Sequence, residues 1–141
     1  MKRSASAIWT GGLKDGKGSI TTDSTTLSNT QYSFSTRFEN GVGTNPEELI
    51  AAAHAGCFAM ALSAQLGQVG ITAEKIDAKA TVTLDKLESG FAITESHLEV
   101  KVKIPGGDLD VFNKAAHAAE TGCPISKVLN AKVTMNATLE T

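Results

Sequence analysis

The sequence is poor in cysteine, in aromatic residues and in net charge. Its 141 residues include two cysteines, Cys57 and Cys123, which excludes a disulfide-scaffold fold and a four-cysteine zinc site. There are 13 basic and 15 acidic residues without a run of like charges, so nothing favours binding to nucleic acid or to an anionic membrane. The hydrophobic share of 41% is typical of a globular chain, and the length predicts one domain, 1–141.

Several sequence motifs are also missing. There is no phosphate-binding glycine loop, no dinucleotide fingerprint and no serine-nucleophile elbow, and the histidines lack metal-ligand spacing. No cofactor and no metal are therefore expected. The first residues lack the apolar segment of a signal peptide, which predicts a cytoplasmic protein. Thiols stay reduced in that compartment, so a transient catalytic cysteine pair is favoured over a structural one.

Apolar alternation predicts strands before and after a helical middle. One of these strands is Tyr32–Phe38, with Arg37 on the face opposite the aromatic residues. The other predicted strands are 4–10, short irregular strands within 11–26, 75–85, 91–104 and 132–138. Shorter helices are predicted from Asp108 or Asp110 to about residue 120, and from Cys123 to residue 128. This order indicates an α+β fold.

The helical middle has a complete set of start signals. Asn45 is placed to cap the helix, Pro46 follows at its first position, and carboxylates at Glu47 and Glu48 occupy its first turn. The segment is small or apolar nearly all round as far as residue 67 or 70, so we expect a central helix buried on all sides. Polar interruptions make it a poor membrane span. Because the chain has few aromatic residues to enclose this alanine-rich helix, a dimer sharing the helix layer is predicted.

The two cysteines differ in their predicted surroundings. Cys57 lies in mid-helix beside Gly56 and alanines, where it could be a nucleophile or simply a small core residue. Cys123 precedes Pro124 at a helix start, where the helix dipole lowers a thiol pKa and the sulfur tends to be exposed. By this criterion Cys123 is the more activated thiol.

A reactive Cys57 would need a nearby cation. Lowering a thiol pKa from about 8.5 to about 6 takes roughly 3.4 kcal/mol. A guanidinium at about 4 Å supplies on the order of 4 kcal/mol at an effective dielectric constant near 20. The sequence has two arginines, and Arg37 is the better candidate because Arg3 lies in the N-terminal tail. The alternative for Arg37 is a solvated surface charge.

Two further residues are candidates with plain alternatives. Glu47 lies ten residues before Cys57, about 15 Å along an unbroken helix, so it could orient an arginine beside a cysteine only across subunits or if the helix broke. Otherwise it is a first-turn charge. His54, three residues before Cys57, permits a cysteine–histidine hydrolase, but a buried, hydrogen-bonded histidine is favoured.

Two motifs point to a family. Asn45-Pro46-Glu47-Glu48-Leu49 with Ala53-His54-Ala55-Gly56-Cys57-Phe58, and the distant Gly122-Cys123-Pro124-Ile125-Ser126, together resemble the OsmC/Ohr superfamily over essentially the whole chain. The resemblance implies antiparallel sheets wrapped around central helices in an intertwined homodimer. It also implies a thiol peroxidase of stress defence that reduces organic hydroperoxides and hydrogen peroxide.

The resemblance also implies residue roles. Cys57 becomes the peroxidatic cysteine and Cys123 the resolving cysteine, the reverse of the order from helix position, and a Cys57–Cys123 disulfide forms that a lipoyl-type or similar dithiol reduces. The first glycine turn, Gly11–Gly16, lacks the arginine of the organic-hydroperoxide-resistance branch. Arg37 matches the osmotically inducible branch, with Glu47 acting across the dimer interface. A cysteine–histidine hydrolase and a dimer that binds a hydrophobic ligand without catalysis remain the alternatives.

Overall fold

The chain folds into two units in the computed structural model, which describes residues 1–141. The first unit is Met1–Leu49 and the second is Ile50–Thr141. Three strands of the first unit, β1 (Ala5–Thr10), β2 (Lys17–Thr22) and β3 (Thr30–Tyr32), form an antiparallel sheet in that order. The rings of Trp9 and Tyr32 lie 5.5 Å apart across Gly18, where a Cβ atom would collide with both.

The segment after β3 is a helix, so the prediction of a strand over Tyr32–Phe38 is wrong. Helix α1 spans Phe34–Phe38. Its start is a capping box, in which Thr36 N–H donates to Ser33 Oγ at 3.3 Å and Ser33 N–H donates to Thr36 Oγ1 at 2.7 Å. The rings of Phe34 and Phe38, four residues apart, lie 4.8 Å from each other. That spacing fits strand alternation and a helix alike, and the cap decides in favour of the helix.

Helix α2 (Pro46–Gln68) begins as predicted, with Glu48 N–H donating to Asn45 Oδ1 at 2.7 Å. It is not buried on all sides. Its core face is formed by residues four apart, namely His54, Phe58, Leu62 and Leu66. The opposite side is exposed, and Met60 retains 77% of its accessible surface. The physical reason is that the sheet and helix packed on α2 in the second unit cover one face only.

By length and composition alone, α2 could also cross a membrane. The core helices of soluble proteins meet the same two criteria. The expectation that it is a poor span rested on polar interruptions and on a length below 20 residues, and the length is wrong because the helix has 23 residues. One of the polar interruptions, His54, is buried among polar partners in the second unit.

The second unit contains a mixed three-stranded sheet. Strands β4 (Lys75–Leu87) and β5 (Gly90–Lys103) form an antiparallel hairpin, and β6 (Lys132–Glu140) pairs with β5 in parallel. The expectation of purely antiparallel sheets is therefore wrong. The chain returns to the sheet through helices α3 (Leu109–Gly122) and α4 (Pro124–Val128), and a helical crossover of this kind joins parallel strands. Of the two predicted caps for α3, Asp108 is used, and it accepts from Val111 N–H at 3.0 Å.

The core of the second unit lies between the sheet and the helices. Leu98, Val100 and Val102 supply alternate positions of β5. They pack with buried residues of α2 and with Phe112, Ala115, Ala116 and Ala119 of α3. This packing brings the middle of α2 and the junction of α3 with α4 to the same side of one core.

Candidate active site

The two cysteines lie together in the second unit. Cys57 is in the middle of α2, and Cys123 is the cap residue between α3 and α4. Their Sγ atoms are 2.8 Å apart, in hydrogen-bond contact, and both thiols are free. Cys57 and Cys123 are 66 residues apart in sequence. Packing of α2 and α3 in one core brings them into contact.

The exposure of the two thiols is the reverse of the expectation for Cys123. That residue is 0% exposed, whereas Cys57 is partly exposed. Cys123 does occupy a helix start, but its side chain is directed at α2 instead of at solvent. Cys57 is therefore the more exposed residue of the pair.

The surroundings shift the two thiol pKa values in opposite directions. Burial raises the pKa of Cys57, and its contact with Cys123 raises it further, against a backbone N–H of Ile125. Burial also acts to raise the pKa of Cys123. It is outweighed by the contact with Cys57 and by the N–H groups of Ser126 and Ile125, so the pKa of Cys123 is lowered. The start of α4 thus favours the Cys123 thiolate, as its position in the sequence predicts.

Arg37 and Glu47 form an ion pair in the first unit. Arg37 donates from Nε and Nη2 to a single oxygen, Glu47 Oε1, at 3.0 and 2.8 Å. Glu47 is 8% exposed, and the Arg37 side chain is 40% exposed. The other carboxylate oxygen, Glu47 Oε2, is buried and has no hydrogen-bond partner. Glu47 is therefore more than a first-turn charge, because it holds the guanidinium of Arg37.

Polar contacts fix α1 against the first turn of α2. Asn45 Nδ2 donates to the carbonyl oxygen of Thr36 at 3.0 Å, and Thr44 Oγ1 donates to Glu48 Oε2 at 2.8 Å. The strand predicted over Tyr32–Phe38 would have placed Arg37 on the face opposite the aromatic residues. On α1 it faces Glu47 of the same chain, so the arginine that Glu47 contacts is Arg37.

A mainly apolar cavity of about 260 Å³ adjoins Arg37 in the first unit. Its apolar walls are Trp9, Leu13, Tyr32, Phe34 and Phe38. The Arg37 guanidinium also lies 5.5 Å from the centroid of the Phe38 ring. An apolar recess with one cationic side chain suits a small molecule with an organic body and a polar end.

His54 is a buried, hydrogen-bonded histidine, as favoured from the sequence. Its Nδ1 lies 2.7 Å from Ser96 Oγ, and its Nε2 lies 2.8 Å from Ser126 Oγ. Burial lowers the pKa of His54, which keeps the ring neutral. Both ring nitrogens are occupied, so the structure does not form a Cys57–His54 pair.

Sequence reasoning missed both serine partners of His54. Ser96 occupies a buried position in the alternation of β5, where a polar residue signals a buried hydrogen bond. Ser126 follows Cys123 by three residues, one helical turn. No group of three or more histidine, cysteine, aspartate or glutamate side chains could hold a metal ion.

Known proteins resemble this chain over all or part of its length. A family described as OsmC-like protein matches residues 38–138. The chain is 48% identical over 140 residues to Peroxiredoxin OsmC of Escherichia coli (strain K12), covering 99% of this chain and 98% of that protein. It is 29% identical over 100 residues to the Organic hydroperoxide resistance protein of Xanthomonas axonopodis pv. citri (strain 306), covering 70% of this chain and 68% of that protein.

A solved structure has a similar fold. The Organic Hydroperoxide Resistance Protein OhrB of Bacillus subtilis superposes with a TM-score of 0.71 at 29% identity, covering 97% of this chain and 98% of that one. The resemblance seen in the two cysteine motifs is confirmed, and the chain belongs to the OsmC-like protein family.

Proposed function

We propose that this protein is a cysteine peroxidase that reduces organic hydroperoxides, and also hydrogen peroxide, in defence against oxidative or osmotic stress. The observation that carries the proposal is the pair of free thiols whose Sγ atoms lie 2.8 Å apart. Relatives named as a peroxiredoxin and as organic hydroperoxide resistance proteins support the same chemistry. The chain is a peroxiredoxin-like enzyme of this hydroperoxide-resistance group.

The reaction starts at Cys57, which is the partly exposed cysteine of the pair. Its thiolate attacks the peroxide O–O bond, one oxygen stays on sulfur as a sulfenic acid, and the other leaves with a proton as an alcohol or water. The Cys123 thiolate then attacks the sulfenic sulfur, forming a disulfide and releasing hydroxide, which becomes water. A dithiol of lipoyl or similar type, itself oxidised to a disulfide, restores both thiols by exchange.

Cys57 needs a cation, because burial and the contact with Cys123 raise its pKa. We assign that role to Arg37, with Glu47 holding the guanidinium in place. Helix α2 runs without a break from Pro46 to Gln68, so the ten-residue spacing leaves only an arrangement in which the ion pair of one subunit serves the cysteines of the other. The apolar cavity beside Arg37 would hold the organic part of the hydroperoxide.

The exposed side of α2 supports a homodimer. Met60 and a row of small residues on this side remain exposed in the single chain. The small residues are Ala52, Ala53, Gly56, Ala64 and Gly67. A Cβ at Gly56 would meet no atom within 4 Å, so a second helix could approach closely here. We further propose that the whole chain, 1–141, acts as one domain and that the protein is cytoplasmic, where a reducing pool could restore its thiols.

The two alternative functions have weaker support. A cysteine–histidine hydrolase needs an imidazole that accepts the Cys57 proton, but both nitrogens of His54 are engaged with serines. A dimer that only binds a hydrophobic ligand would tolerate serine at both cysteines.

The deciding experiment counts free thiols by mass spectrometry before and after one equivalent of cumene hydroperoxide. Wild-type protein should lose two hydrogens and yield a peptide that links Cys57 to Cys123. The Cys123→Ser variant should stop at the sulfenic acid, and Cys57→Ser should not consume peroxide. Full turnover by Cys57→Ser, or two free thiols after complete peroxide consumption by wild-type protein, would refute the mechanism.

A further inference from the structure

Helix α4, which follows Cys123, is not held in place by apolar burial. It has five residues, none of them is buried, and Val128 at its end retains 72% of its accessible surface. Its cap residue, Cys123, makes no side-chain hydrogen bond to the first turn of α4. Polar contacts therefore carry more of the positioning of α4 than of α2 and α3, which both contribute side chains to the core.

Two side-chain contacts join α4 and its cap residue to α2. One is the contact of Cys123 Sγ with Cys57 Sγ at 2.8 Å. In the other, Ser126 Oγ lies 2.8 Å from His54 Nε2. The spacing is the same on both helices, because His54 precedes Cys57 by three residues and Ser126 follows Cys123 by three. A single contact would leave α4 free to pivot, whereas two contacts about one helical turn apart fix its orientation on α2.

His54 is itself anchored on its other side. Its Nδ1 lies 2.7 Å from Ser96 Oγ on β5, and both side chains are 0% exposed. A hydroxyl can donate or accept a hydrogen bond, so the serines on either side of the ring satisfy it whichever nitrogen carries the proton. The ring therefore ties α4 to the sheet of the second unit as well as to α2. The mechanism above uses none of these three side chains.

Oxidation of Cys57 weakens the first of the two contacts. As a sulfenic acid, Cys57 has lost the proton on its sulfur, and Cys123 must lose its own proton before it can attack. No S–H group then remains to hydrogen-bond the two sulfurs. The contact between Ser126 and His54 is the one of the two that persists at the moment when the position of Cys123 matters most.

We propose that His54 and Ser126 form a latch that holds Cys123 against the Cys57 sulfenic acid and so protects Cys57 from overoxidation. This inference rests on the proposed peroxidase function. His54 and Ser126 are positioning residues, since neither makes or breaks a bond, and Ser96 acts through His54.

The sulfenic acid has two competing fates. In the first, the Cys123 thiolate attacks the sulfenic sulfur, the S–S bond forms and hydroxide leaves. In the second, another hydroperoxide molecule transfers one oxygen to that sulfur, which gives a sulfinic acid and an alcohol and removes Cys57 from the cycle. Holding Cys123 in place favours the first fate, because alignment raises the effective concentration of an attacking group.

The first test separates the two chemical steps by rapid mixing with cumene hydroperoxide, acid quenching and mass spectrometry. Ser126→Ala should form the sulfenic acid at the wild-type rate but close the disulfide about fivefold more slowly, the effect of losing one neutral hydrogen bond. Ser126→Thr keeps the hydroxyl and should restore closure. Ser89→Ala, at an exposed serine in the turn between β4 and β5, is the matched control and should change neither step. Closure at the wild-type rate in Ser126→Ala, or equal slowing of both steps, would overturn the proposal.

Substitutions of His54 test the other half of the latch. The amide of asparagine takes the place of Nδ1 and that of glutamine the place of Nε2, so His54→Asn should slow closure and His54→Gln should restore part of it. The double variant His54→Asn/Ser126→Ala should close no more slowly than either single variant, because both remove the same contact. Effects that multiply in the double variant would overturn the latch. His117→Asn, at an exposed histidine on α3, is the matched control.

Overoxidation gives a second readout that a merely structural role would not move. At a fixed concentration of cumene hydroperoxide, the ratio of sulfinic acid to disulfide on Cys57 should rise about fivefold in Ser126→Ala, the factor by which closure slows. A wild-type ratio in a variant that closes slowly would refute the protective role.

The proposed function can fail separately from the latch. If hydroperoxide forms no disulfide, the peroxidase mechanism fails, and equilibration with reduced and oxidised dithiothreitol still measures how readily Cys123 reaches Cys57. That disulfide should then be up to about fivefold less stable in Ser126→Ala, and equal stability would refute the latch. If the disulfide forms with hydroperoxide at the wild-type rate in Ser126→Ala, the latch is refuted while the peroxidase stands. Should Ser126→Ala fold poorly, His54→Asn and His54→Gln make the same comparison.

Discussion

Oxidation by a hydroperoxide should make this protein markedly harder to unfold. The disulfide would join residues 66 apart in sequence, and their sulfur atoms already lie together in the reduced protein. Closing a loop of this length in the unfolded chain lowers its entropy by about 15 cal/mol/K, which is about 4 kcal/mol at 25 °C. Since the reduced fold already brings the two thiols together, we expect most of this gain to appear as a higher free energy of unfolding.

Urea denaturation of the reduced and oxidised protein measures the gain. With a slope of about 2 kcal/mol per molar urea, a gain of about 4 kcal/mol moves the midpoint up by about 2 M. Both forms must be compared at one protein concentration, because dissociation of a dimer makes the midpoint concentration-dependent. The matched control is Cys123→Ser exposed to the same hydroperoxide, which cannot close the loop and should show no rise.

An oxidised midpoint equal to the reduced one, or below it, would refute the reasoning. Equality together with a mapped Cys57–Cys123 disulfide would mean that the fold must rearrange to form the bond and loses what the loop gains. Equality without the disulfide would remove Cys123 as the resolving residue. A rise of the same size in Cys123→Ser would assign the effect to some other oxidation.

Three further predictions follow from single side chains. Arg37→Ala should move the alkylation pH profile of Cys57 upward by up to about three units, because a guanidinium at about 4 Å is worth on the order of 4 kcal/mol, and Arg3→Ala should leave it unchanged. Met60→Glu should dissociate the dimer at micromolar concentration in analytical ultracentrifugation, whereas Met60→Leu should keep it; a dimeric Met60→Glu would place the interface elsewhere. Below about pH 6.5, His54 binds a proton in the unfolded chain but not in the folded chain. The free energy of unfolding should therefore decrease by up to about 1.4 kcal/mol for each unit by which the pH is lowered. His54→Asn should flatten that slope in denaturant titrations, and an unchanged slope would contradict a neutral buried ring.

Local signals predicted the elements that depend on local chemistry. The start of α2 follows from Asn45 and Pro46, and the cap of α3 was narrowed to two aspartates, because a cap needs only a few neighbouring residues. The prediction of a strand around Arg37 was wrong because a local signal was overlooked. Two phenylalanines four residues apart fit both the alternation of a strand and the periodicity of a helix. The capping box of Ser33 was the decisive signal.

Residue spacing alone did not predict the long-range pairings, and the pairing of Cys57 with Cys123 came only from the family resemblance. The motifs named Cys57 and Cys123, but only packing of α2 on the α3–α4 junction brings their sulfur atoms to 2.8 Å. The burial of Cys123 depends on the same packing, which is why a helix start alone predicted exposure incorrectly. Likewise, the serine in the apolar register of β5 is visible in the sequence, but its partner His54 is 42 residues away.

The lowered pKa of Cys123 is compatible with the attacking role proposed for Cys57, because the two sulfurs share their ionisation. At 2.8 Å a proton can pass between them, so the first proton lost leaves one thiolate that either sulfur can carry. The N–H group of Ser126 acts on Cys123 alone, whereas that of Ile125 acts on both thiols, and a hydrogen bond to a charged group is worth about 1.5 to 3 kcal/mol. A guanidinium near Cys57, worth on the order of 4 kcal/mol, is enough to draw the charge to Cys57 for the attack on peroxide. Once Cys57 is oxidised to a sulfenic acid, the same N–H groups leave Cys123 as the thiolate that closes the disulfide.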